Sequence, residues 1–72
     1  MSDDEIKALE KATKKAKRIA TERAGELHDL IEDRLPAGYE DLPGMAQATY
    51  DACRDWALAE ARLKAAEAGA PA

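Results

Sequence analysis

His28 is the only histidine in the chain. It lies four residues before Glu32, and side chains four apart on a helix are neighbours. Asp29 and Asp33 form the adjacent row, so an imidazole and three carboxylates crowd the six residues "HDLIED". That mixture could begin a metal site through His28 and Glu32. A protein metal site needs three or four converging ligands, and one chain offers a single imidazole with flexible carboxylates. The di-iron bundle pattern requires Glu three residues before the histidine, and that position is Gly25. A metal bound here would therefore need a second subunit to complete its site. Without one, the pair is an exposed helix contact contributing roughly 0.2–0.5 kcal/mol. Cys53 has no second cysteine and no histidine near it along the chain. It reads as a small buried hydrophobe rather than a nucleophile. There is no glycine-rich phosphate loop, nucleophile–base pair or chelating cysteine cluster. The expectation is a protein that is not an enzyme and has no cofactor.

The elements that carry these residues are helices. Ala, Glu, Lys, Leu and Arg dominate a chain of 72 residues that has no Phe, a composition that favours helix throughout. "SDDE" offers Ser2 as a cap with Glu5 reaching back, and it sets acids at the positive end of the helix dipole. Pro36 stops this first helix, because the residue before a proline is driven out of the α region. "PAGYEDLP" is then a short connection in which Gly38 accommodates the turn. Asp41 is placed to cap a second helix whose first turn accepts Pro43. Gly69 and Pro71 end it. The expected organisation is one domain: helix 1 over about residues 3–34, an elbow over about 35–41, helix 2 over about 42–68 and a disordered tail at 69–72.

Leu42, Met45, Thr49, Ala52, Trp56, Ala59, Leu63 and Ala66 alternate spacings of three and four, a heptad seam sustained over more than three repeats. Helix 1 answers with Ile6, Leu9, Thr13, Ala16, Ala20, Leu27 and Leu30, interrupted at Arg23. Ala12, Ile19, Ala24 and Ile31 widen that stripe into a face. Folding back at the elbow sets Leu30 against Met45, Leu27 against Thr49, Ala20 against Trp56, Ala16 against Ala59 and Leu9 against Ala66. The fold class is all-α, an antiparallel two-helix hairpin. Two helices cannot enclose their own seam, so the hairpin is expected to dimerise into a four-helix bundle. Leu9, Ala16, Ala20, Leu27, Leu30, Met45, Thr49, Ala52, Trp56, Ala59 and Leu63 would form its oligomer interface. Ala46, Tyr50, Cys53 and Ala57 make a second stripe at its edge or in a further contact. Dimer against tetramer, and the relative direction of the two hairpins, stay open.

Fifteen acids against eleven Lys and Arg give a net charge of −4, which disfavours whole-molecule attraction to nucleic acid or anionic lipid. No apolar run approaches the roughly 20 residues that cross a bilayer. "MSDDEIK" lacks the cationic and then apolar order of a secretory signal. A lone cysteine suits a reducing compartment, so the expected location is the cytoplasm.

"LHDL" at 27–30, "LP" at 35–36 and "YEDLPGMAQATYDA" at 39–52 resemble the Rop-like family of small proteins encoded in bacterial nitrogen-fixation operons. The resemblance runs over residues 20–65, most of the chain. It implies two antiparallel helices pairing into a Rop-like bundle, which agrees with the periodicity. It also implies an accessory role in nitrogen fixation, with nitrogenase or its assembly proteins as partners. No catalytic residue comes with it. The Rop protein itself binds RNA, which turns attention to "KKAKR" at Lys14–Arg18. RNA is the weaker expectation, since no aromatic residues are interleaved with these cations and the overall charge has the wrong sign. The partner surface expected here is the elbow, with Leu35, Tyr39 and Leu42 among Asp29, Glu32 and Asp33, or else the basic half of helix 1, which would suit an acidic protein. Exposed aromatic rings of that kind are common in interfaces.

Overall fold

The computed structural model describes residues 2–69. It contains helix α1 at Asp3–Asp33, one 3-10 turn at Tyr39–Asp41 and helix α2 at Leu42–Ala68. The two long helices pack against each other as an antiparallel hairpin, a rod whose Cα trace measures 55 × 14 × 13 Å. Ala70–Ala72, most of the expected disordered tail, lie outside the described residues.

Local chemistry accounts for the helix ends. Ser2 is extended, and its hydroxyl accepts the backbone N–H of Glu5 at 3.3 Å. Asp3, Asp4 and Glu5 then occupy the first turn, where the dipole favours negative charge. α1 stops at Asp33, and Arg34 leaves helical geometry with its N–H still bound to the Leu30 carbonyl. α2 ends at Gly69, whose N–H returns to Ala65 at 2.9 Å.

Two expectations about the elbow need correction. Asp41 does not cap α2 through its side chain. It sits in αR geometry as the last residue of the 3-10 turn. A capping side chain accepts from the second or third helical residue, and the second one here is Pro43, which has no N–H. The helix instead grows directly out of the 3-10 turn, which the sequence reading did not include. Gly38 is needed for a different reason from the one expected. Its φ is −92°, available to any residue, but a Cβ there would lie 2.8 Å from Leu30 Cδ1 and 3.2 Å from the Arg34 carbonyl. The chain passes too close to α1 for a side chain.

The heptad seam lies between the two helices. Leu30 is fully buried, and Thr13, Ala20, Ala52 and Ala66 are buried beside it. Ile6, Leu9, Ala16, Leu27, Leu42, Met45, Thr49, Trp56, Ala59 and Leu63 are half-buried along the same line. The Thr49 hydroxyl lies within donating distance of the Met45 carbonyl at 2.9 Å and, across the hairpin, of the Arg23 carbonyl at 3.2 Å. So the helices are also tied by a polar contact where Arg23 interrupts the apolar row. Lys17 Nζ stands 5.9 Å from the Trp56 ring centroid, within cation–π reach. The Trp56 indole N–H is buried without an acceptor.

The broader apolar face expected on α1 is only partly covered. Ile19 is half-buried, whereas Ala12, Ala24 and Ile31 are exposed. Cys53 was expected to be buried and is exposed. It follows Ala52 by one residue, about 100° around the helix, which turns it away from α1. Ala46, Tyr50 and Ala57, the rest of its stripe, are exposed as well.

Candidate functional site

The elbow is held by a chain of backbone bonds. Gly38 N–H donates to the Arg34 carbonyl at 2.7 Å, Tyr39 N–H to Pro36 at 3.2 Å and Asp41 N–H to Gly38 at 3.0 Å. This tight path leaves an open concavity of about 500 Å³, bordered by Asp33 to Gly38. Leu35 stands on that border with 39% of its surface exposed, and Tyr39 follows at 60%. Ile31, one turn back on α1, is 52% exposed. Leu42, grouped with the tip from sequence, is half-buried at the start of α2. The exposed apolar tip is therefore Leu35 and Tyr39, with Ile31 added as a residue that sequence reading had assigned to the core-facing stripe.

Carboxylates flank that tip along the chain. Asp29, Glu32, Asp33, Glu40 and Asp41 are all exposed. The last turn of α1 has no basic residue. Glu32 and Asp33 thus sit at the negative end of the helix dipole, where anions are disfavoured and cations favoured.

His28 lies within this acidic field. Its Nε2 is 3.7 Å from Glu32 Oε1 and its Nδ1 is 3.7 Å from Asp29 Oδ1, both exposed contacts. These become ion pairs only when the imidazole is protonated. Among the described residues, no group of three or more His, Cys, Asp or Glu side chains is gathered to hold a metal ion. His28 and Glu32 are thus adjacent, as their spacing required, and any metal site would have to draw ligands from another chain.

The cationic run occupies the other half of α1. Lys11, Lys14, Lys15 and Arg18 border one shallow surface depression. Arg18 reaches Glu22 only at 3.9 Å. The charges are thus segregated along the rod. Residues 22–51 carry eight acids against two arginines, and the remainder nine cations against seven acids.

A hairpin with an exposed, charged tip, and with its apolar side chains spread along a narrow seam, is a small all-α protein whose candidate site is a surface. The model of the Rop-like family matches residues 4–68, and the chain belongs to that family. Comparisons with curated proteins and with solved structures give no match. No helix among the described residues is long and apolar enough to cross a membrane.

Proposed function

We propose that this chain is a non-enzymatic accessory protein of nitrogen fixation. In this reading it works in the cytoplasm as a dimer of hairpins, and its acidic elbow docks onto a nitrogenase component or a cofactor-assembly factor. The observation that carries the docking surface is the exposure of Leu35 and Tyr39 between exposed carboxylates that flank them along the chain. Apolar anchors inside a charged rim are the usual anatomy of a recognition patch. The placement of Glu32 and Asp33 supports the same reading, because anions at a helix C-terminus cost stability that a partner's cations would offset. The nitrogen-fixation setting rests on the likeness of "LHDL", "LP" and "YEDLPGMAQATYDA" to the proteins of those operons.

The test is a pull-down from nitrogen-fixing cells with quantitative mass spectrometry, using the wild-type chain and a Leu35→Ser/Tyr39→Ser variant as baits. Wild type should enrich a nitrogenase or cofactor-assembly protein, and the variant should lose it. Recovery of no such protein above control by the wild-type bait would contradict the proposal.

A further inference from the structure

Lys11, Lys14, Lys15 and Arg18 border a surface depression of about 460 Å³ on α1. Thr13, Ala16 and Ala20 turn toward α2 between and beyond them, and the four cations stand exposed on the outer side of the hairpin. Lys7 and Lys11, Lys11 and Lys15, and Lys14 and Arg18 are four residues apart; Lys11 and Lys14, and Lys15 and Arg18, are three apart. Like charges at these spacings are neighbours on the helix surface and weaken it. Glu10 is the only acid three or four residues from any of the three lysines of the depression. Among the described residues, no ion pair involves Lys11, Lys14 or Lys15. Elsewhere the chain matches its cations. Arg23 lies 3.1 Å from Glu26, and Arg54 lies 3.8 Å from Asp51. Asp55 on α2 shares a neighbouring hollow with Lys15 but is itself 3.7 Å from Arg54.

We propose that the outer face of α1, from Lys7 to Arg18, docks an acidic helical segment of another protein. This surface is separate from the elbow, and it does not depend on the client proposed there. The partner's carboxylates would relieve a repulsion that α1 otherwise carries unrelieved.

Two observations select this occupant. The first is spacing. Lys11 to Arg18 covers about 10 Å of helix axis, and carboxylates three, four and seven residues apart on a facing helix repeat the same interval. The second is the footprint. Asp3, Asp4 and Glu5 precede the cations, and Glu22 begins the acidic stretch that follows them. Lys7 to Arg18 therefore forms a cationic window of about 16 Å, roughly two Debye lengths at physiological salt. A segment of about three helical turns meets cations alone, whereas a longer polyanion runs over carboxylates at either end. No aromatic residue lies between Lys7 and Arg18 for a base to stack on.

The probe is a synthetic helical peptide with glutamates at i, i+4, i+7 and i+11, titrated into the isotope-labelled full chain while backbone amide shifts are followed by NMR. Shifts should concentrate on residues 7–18. Lys11→Glu should weaken binding about tenfold. The same change should raise the melting temperature at fixed protein concentration, because its repulsions with Lys7, Lys14 and Lys15 become attractions. Lys64→Glu, on α2, and the elbow variant Leu35→Ser/Tyr39→Ser should bind the peptide as wild type does. Absence of shifts on residues 7–18 would overturn the proposal. So would equal binding of a peptide with the same glutamates out of helical spacing. Tighter binding of a single-stranded RNA of equal charge would make this a nucleic-acid surface instead. A change in the chain's own solution mass on Lys11→Glu would give the face to a second copy and equally overturn the proposal.

Discussion

Gly38 and Gly25 are chemically identical and carry opposite expectations. At Gly38 the missing Cβ would press on the fully buried Leu30 and on the Arg34 carbonyl. Gly38→Ala should therefore destabilise the hairpin by about 1–3 kcal/mol, the usual range for overpacking. At Gly25 a Cβ would meet nothing within 4 Å, so Gly25→Ala should stabilise α1 by roughly 0.8–1 kcal/mol through helix propensity alone. Urea melts at one fixed protein concentration check both. Asp33 gives a different kind of contrast. Replacing it with Lys sets a cation at the end of α1 and should stabilise by about 0.3–1 kcal/mol, while weakening capture of the elbow's client in the pull-down. Loss of both stability and capture would point to a structural role for Asp33 instead. The sequence marks Gly38 as a turn residue and Gly25 as a helical one, but not the contact that makes Gly38 necessary. What decides the contrast is the distance between the elbow backbone and Leu30.

Most of the helix architecture was readable from local chemistry and spacing. The alternation of threes and fours on α2 names the residues that line the seam, because heptad spacing keeps one edge of a helix turned to its neighbour. Pro36 ends α1 by restricting the residue before it, and Ser2 opens it by accepting an N–H. The limits of that reading are equally physical. Spacing specifies a face but not how many neighbours cover it, so Ala12, Ala24, Ile31 and Cys53 were assigned to cores that one hairpin does not supply. Asp41 has the right residue type for a cap but stands before a proline without an N–H. The difference between the two caps is testable. Ser2→Ala should cost about 1 kcal/mol, whereas Asp41→Ala should cost less than about 0.5 kcal/mol, keeping only a dipole contribution to lose. Thermal melts of the two variants, run side by side, give the comparison.

Taken whole, the molecule is a thin rod with an acidic, apolar-tipped elbow at one end and an excess of cations toward the other. The elbow as a candidate surface was visible in sequence as a cluster of His28 and carboxylates around "LP" and "YEDLP". Its apolar members were only partly visible, because Leu42 turns half-buried and Ile31 becomes exposed once the helices are placed. A chain this small buries few side chains completely, and domains of this size are marginal without help from disulfides, metals or association. Association is the remedy proposed here for the open seam. Its direct consequence is a melting temperature that rises with protein concentration. The most direct measurement is the mass of the wild-type chain in solution by light scattering at micromolar concentration. The account predicts twice the chain mass of 7.8 kDa; a particle of the single-chain mass, folded and helical, would contradict it.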